Sequence, residues 1–199
     1  MRRKVFDVLV STGGGIVVVV LVVAGGLALW GHSVVNSNVR TQLAQQQIFF
    51  PPAAAFAQAK AGTEITPAMI PYLEKYAGQQ LLTGSQAKAY ADNFIAIHLS
   101  EMPYAGVYSK VSAASMAKPT DAALAAEVQT VFRGTTLRGL LLEAYGFSVL
   151  GVIALWAAIA SFVLAGLMAL LVGFGFWHSR RVPVTEEILV PRVGQVATA

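Results

Sequence analysis

Two uncharged apolar runs dominate the pattern of this chain, and about a hundred residues of mixed polarity lie between them. The first, Val8 to Trp30, has twenty-three residues; the second, Ala144 to Trp177, has thirty-four. A helix needs about 20 apolar residues to cross a bilayer core, so each run predicts a transmembrane helix. The excess in the second is taken up by tilt or by continuation past the lipid surface. Arg2, Arg3 and Lys4 precede the first run, and His178, Arg180 and Arg181 follow the second. Basic clusters flanking such spans stay cytoplasmic. The pattern therefore predicts both termini inside, Trp30 at the outer interface and His32 to Glu143 outside. A signal peptide carries a shorter apolar region and an A-x-A-like end. Leu27-Ala28-Leu29-Trp30 is a poor cleavage context, so the first helix is expected to be retained.

The segment between the runs is within the usual size of one domain, and its punctuation is helical. The first helix is expected to continue past the membrane through Ser33 to Gln42 and to end at Phe49-Phe50-Pro51-Pro52, since paired prolines cannot continue it. Thr66-Pro67 reads as an N-cap with proline at the first helical position, opening a helix from Ala68 to Ala77 that Gly78 stops. Ser85 is placed to cap Gln86 to Glu101, with Tyr90, Phe94, Ile97 and Met102 on its apolar face. Pro103 interrupts, Tyr104 to Met116 forms a weaker helix, and Thr120-Asp121 caps Ala122 to Phe132. Few stretches alternate with period two, so little or no sheet is expected. Phe132 to Glu143 joins this domain to the second span, with its arginines toward lipid headgroups, and Val182 to Ala199 reads as an extended cytoplasmic tail. The expected fold is an all-α plasma-membrane protein with two transmembrane helices flanking a helical extracytoplasmic domain (residues 1–7, 8–31, 32–143, 144–177 and 178–199).

Composition reinforces this. The chain is 56% hydrophobic and 12% charged, with mean hydropathy +0.62, where a soluble domain carries about 25% charged residues. The net charge of +4 sits mostly at the ends; His32 to Glu143 holds eight Lys/Arg against seven Asp/Glu. No basic field for nucleic acid results. The absence of cysteine excludes disulfides, thiolate metal sites and covalent haem attachment.

Candidate chemistry is sparse. Ser85-Gln86-Ala87-Lys88 matches the S-x-x-K of penicillin-binding proteins, in which one helical turn sets lysine beside serine. Its K-T-G and S-D-N partners are missing, and chance matches to so short a motif are common. His98 and Glu101 stand one turn apart, but a metal site needs three or four ligands, and His32 is the only other histidine outside. Neither apolar run contains a charge or a histidine, which argues against a proton relay, an ion pathway or bis-histidine haem. Gly13-Gly14-Gly15 lacks the lysine of a phosphate loop and reads as a place of close helix contact. No cofactor is expected. In the second span, Ala157, Ser161, Ala165, Ala169 and Gly173 recur every fourth residue. Small residues at that spacing admit a neighbouring helix closely and predict a helix-docking face. The plainer alternative is that Ala and Gly are simply common in membrane helices. Phe162, Leu164, Leu167 and Leu170 are left to face lipid.

Four stretches together, MRRKVFDVLVSTGGGIVVVVLVVAGGLALWGHSVVNSNVRTQL, QQQIFFPPAAAF, EITPAMIPYLEKYAGQQL and VFRGTTLRGLLLEAYGF, resemble an actinobacterial membrane-protein family. It is the family of the prokaryotic respiratory supercomplex association factor, a small accessory subunit of the cytochrome bcc–aa3 menaquinol oxidase supercomplex. The resemblance covers nearly the whole chain, and none of its motifs is catalytic. It implies a structural role: spans packed against membrane subunits of bcc or aa3 oxidase and against lipid, with an external domain bridging subunits. No functional residues carry over individually. Some relatives of this appearance are described as ring-opening dioxygenases, but the iron ligands such chemistry needs are missing here.

Overall fold

A computed structural model describes residues 3–181 and Pro183. It is mostly helical, with no strand among the described residues and two helices long and apolar enough to cross a membrane. The first, α1, runs unbroken over Arg3–Gln45. Four short helices follow: α2 (Ala53–Ala57), α3 (Ile70–Leu73), α4 (Gly84–Tyr90) and α5 (Ala96–Glu101). Then come α6 (Tyr108–Ala117) and the sixty-residue α7 (Ala122–Arg181). The expected tail lies outside the described residues apart from Pro183. The chain divides into two compact units, one containing Met1–Gly31 with Ala154–Ala199, the other His32–Ile153.

In the first unit the two helices run antiparallel: Gly14 meets Val172 and Met168, Gly25 meets the Phe162 ring, and Gly175 meets Ser11. A methyl on Gly14 would come within 2.7 Å of Val172 Cγ2, so glycine sets that approach. Half-buried or buried positions on α1 step by three and four: Ser11, Gly14, Val18, Leu21, Gly25, Ala28. On α7, Ala158, Ala165, Val172 and Ser179 recur every seventh residue on the covered side. A seven-residue repeat is the signature of a left-handed pair in which the seam stays turned toward the partner helix. Most of the large side chains, Ile16, Leu27, Leu170 and Phe174 among them, point the other way; Phe162, expected to face lipid, instead packs its ring against Gly25.

The second unit has a conventional core. Met69, Leu73, Leu81, Val111 and Val131 are fully buried, together with Phe50, Phe56 and Leu141. Where α1 ends, Gln47 adopts a left-handed conformation (φ 50°) and the prolines force the chain away. Backbone bonds then tie this stretch to the loop before α4: Phe50 N donates to Gln79 O at 2.9 Å and Leu81 N to Ile48 O at 2.9 Å. Phe49 and Gln80 form one isolated antiparallel bridge, the only extended pairing among the described residues.

Several local expectations are corrected. Thr66 caps nothing; its hydroxyl is buried without a partner, and the expected Ala68–Ala77 helix reduces to α3 and a 3-10 turn at Glu74–Tyr76. Gly78 is nonetheless left-handed (φ 69°), as a stop requires. Thr83, not Ser85, caps α4: its hydroxyl accepts from Gln86 N at 3.3 Å while Gln86 Oε1 accepts from Thr83 N at 3.0 Å, a full capping box. Between α4 and α5 the helix widens into a π-helical turn at Ala91–Ile95. Beyond Pro103, Tyr104 and Ala105 both sit in the left-handed region (φ 57° and 53°), each costing about 1–2 kcal/mol. Asp121 does cap α7, its Oδ1 accepting from Leu124 N at 3.0 Å. The helix it opens does not stop at Phe132. It continues through Gly134 and Gly139 to Arg181, because Gly134 is where Leu99 packs and the helix is held from the side.

Candidate functional site

The residues singled out for chemistry are drawn into structural roles. Lys88 Nζ donates to Asp92 Oδ2 at 2.5 Å and lies 5.4 Å from the Tyr145 ring centre, while Ser85 Oγ pairs with Thr83 Oγ1 at 3.2 Å. The hydrogen bond and charge of Asp92 hold the Lys88 ammonium above its ordinary pKa. A lysine acting as base on Ser85 must be neutral, so this arrangement opposes that chemistry. Asp92 in turn accepts from Arg138 of α7 at 2.8 Å. Its carboxyl is held below the ordinary range, chiefly by the Lys88 hydrogen bond and with help from Arg138, while burial opposes them. The π-helical turn sets Asp92 between the two cations.

The histidines are similarly occupied. His98 Nδ1 donates to Phe94 O at 2.8 Å, and its ring packs on the Phe94 ring at 4.5 Å. It closes an aromatic ladder through Tyr90 and Phe50 to Tyr76, in which burial pushes the Tyr90 hydroxyl upward. His32 Nδ1 lies 2.8 Å from the Gly151 carbonyl of α7. Glu101 is exposed. Among the described residues no group of three His, Cys, Asp or Glu is placed to hold a metal.

The five small residues of α7 divide. Ala165 is buried and Ser161 half-buried, whereas Ala157, Ala169 and Gly173 are exposed. The reason is angular: four residues advance a helix by about 400°, so a stripe at that spacing drifts about 40° per step. It crosses the internal seam at Ala165 and leaves it on either side. Ala169 and Gly173 border a shallow apolar hollow of about 360 Å³ with Leu170, Phe174 and Trp177. What sequence reasoning missed was the seven-residue line through Ala158, Ala165, Val172 and Ser179. Matching it against the three-and-four pattern of Ser11, Gly14 and Gly25 in the first apolar run was the available signal.

The second unit carries a larger groove, about 380 Å³, between the end of α1 and the middle of α7. Val39, Leu43 and Leu141 form its floor and are buried. Asn38, Gln42 and Gln46 line one bank; Leu140, Glu143 and Phe147 line the other. Glu143 is its only formal charge. Nothing in the residue pattern announces this groove, because it needs the register of two distant helices. Comparison with family models, characterised proteins and solved structures finds no match for this chain.

Proposed function

We propose that this protein is a non-catalytic subunit of a larger membrane complex, spanning the plasma membrane twice with both termini cytoplasmic and its central domain outside. More specifically, its resemblance to the association-factor family assigns it as an accessory subunit of an actinobacterial bcc–aa3 supercomplex, packed against bcc or aa3 membrane subunits and lipid. The observation that carries the docking role is the outward placement of Ala157, Ala169 and Gly173. Small residues on the outer face of a helix pair leave a partner helix room to approach closely, and the hollow beside Ala169 and Gly173 is sized for side chains. The capture of Lys88 by Asp92 supports the non-catalytic part. The groove of the second unit favours one other reading, a free-standing envelope protein that binds a small ligand.

Gentle detergent extraction of tagged chain, followed by native electrophoresis and mass spectrometry, separates the two. Cytochrome subunits are expected to co-migrate with it; migration alone supports the free-standing binder. Ala169→Leu fills the outer face, where overpacking costs about 1–3 kcal/mol, and is expected to lower co-purification roughly tenfold to a hundredfold. Leu167→Phe, facing acyl chains, is expected to leave it near wild type.

A further inference from the structure

Resting on that reading, we infer that the groove of the second unit is the seat of a partner subunit's helix that continues beyond the bilayer surface. The inference comes from a mismatch between α1 and α7. On α1 the apolar run ends at Trp30, and from Ser33 to Gln46 the helix is largely polar. His32 lies beside Gly151, so the part of α7 before Gly151 runs level with that polar stretch. There α7 carries Arg138, paired with Asp92, and Glu143, yet still exposes large apolar side chains: Leu140, Phe147 and Leu150 are 58%, 49% and 57% exposed. A bilayer surrounds both helices of a pair at the same depth. Phe147 lies about 6 Å beyond Gly151, and Arg40 lies about 12 Å beyond His32. Lipid deep enough to cover Phe147 would immerse Asn36, and lipid deep enough to cover Leu140, about 16 Å beyond Gly151, would immerse Asn38 and the exposed Arg40 as well, a costly burial for an arginine. On this inference Leu140 and Phe147 stand above the lipid, and a protein surface covers them.

The groove defines the chemistry of that surface. Its α1 bank from Val35 to Gln46 is about 17 Å long, or three helical turns. The facing helix carries an apolar stripe against Leu140 and Phe147, amide or hydroxyl groups toward Asn38 and Gln42, and a lysine or arginine toward Glu143. A second copy of this chain does not suit the site: a symmetric contact sets groove against groove and Glu143 toward Glu143.

The chain has no cysteine, so single thiols report the site directly. Phe147→Cys and Leu140→Cys are compared with Leu171→Cys, on the outer face of the apolar span, and Met116→Cys, on the exposed surface of α6. In nanodiscs holding the chain alone, a membrane-impermeant maleimide is expected to label Phe147→Cys and Leu140→Cys within about threefold of the Met116→Cys rate, with Leu171→Cys unreactive. In the tagged complex from native membranes the two groove thiols are expected to slow at least tenfold, with Met116→Cys unchanged. Glu143→Lys is expected to lower co-purification at least tenfold while leaving nanodisc labelling as it was. Groove thiols as unreactive as Leu171→Cys in nanodiscs would mean that lipid covers the site and would overturn the inference. So would disulfide-linked homodimers, or an unchanged labelling rate in a complex that does co-purify. In that last case the accessory-subunit reading survives. If no cytochrome subunit co-purifies with the wild-type chain, both fail together, and the pull-down shows this before any labelling.

Discussion

The two units of this protein solve the same packing problem with opposite residues. In His32–Ile153 the covered positions are large: Met69, Leu73, Leu81, Val111 and Val131. In the paired parts of α1 and α7 they are small or polar: Ser11, Gly25, Ala158, Ala165 and Ser179. There the large side chains, Ile16, Leu27, Leu170 and Phe174 among them, face outward. In water, apolar burial is the main driving force. In hydrocarbon a leucine gains nothing by turning inward, and association depends on backbones coming close. Each unit suits a different solvent, and the inside-out one is legible as such from which side chains it hides.

The largest effect that tests this contrast comes from truncating leucines on either side of it. Leu73→Ala removes a fully buried side chain and is expected to destabilise the second unit by about 2–5 kcal/mol. Leu171→Ala, on the exposed face of α7, is expected to cost well under about 1 kcal/mol in a bilayer, where acyl chains fill the space that a core would leave as a cavity. Hydrogen exchange of the two variants in nanodiscs measures both. Equal losses of protection would remove the distinction between the units.

Much of the architecture was readable in the sequence, for reasons that differ by region. The long apolar runs were plain because thirty-four uncharged residues in series have few structural uses. The helix starts were less so. Thr66-Pro67 has the right residues for a cap, yet Thr66 is buried with its hydroxyl unpartnered, and tertiary packing decides. Ser85 lost to Thr83 because Gln86 is three residues after Thr83 and completes a capping box. The unbroken course of α7 through Gly134 and Gly139 was hidden because glycine weakens a helix locally, while Leu99 and Asp92 support it from the second unit's other elements. The groove and the seven-residue seam share one obstacle: both need the register between two helices that lie about a hundred residues or more apart in the chain.

A middle-sized effect tests the seam itself. Ala165→Leu adds volume at a buried position of the helix pair and is expected to cost about 1–3 kcal/mol, read as a lowered thermal midpoint of the isolated chain in detergent. Gly173→Leu, further along the every-fourth-residue stripe but exposed, is expected to leave that midpoint unchanged. A comparable loss from Gly173→Leu would place the seam on the every-fourth-residue stripe rather than the seven-residue line.

The smallest effect belongs to the ion pairs that tie α7 to the π-helical turn. Asp92 is bound by Lys88 and Arg138, and all three are partly exposed, so solvent screens them and they add little to stability. The pH dependence has a definite sign. Because the Asp92 carboxyl is held below its ordinary range, its contribution is present above the unfolded pKa, about 3.9, and is lost as pH falls through the lower folded value. Lys88, held above its ordinary range, contributes below about pH 10.4 and loses that contribution as pH rises through the folded value. Near pH 7 both are in place. Asp92→Asn is therefore expected to lower stability by at most about 1 kcal/mol at pH 7, with the gap from wild type shrinking below about pH 4 and at high salt. Unfolding of the chain in detergent at neutral pH and in acid measures it. A gap that stays the same in acid would mean that the asparagine disturbs the packing of the π-helical turn, and that the charges of Lys88 and Arg138 contribute little to holding α7 there.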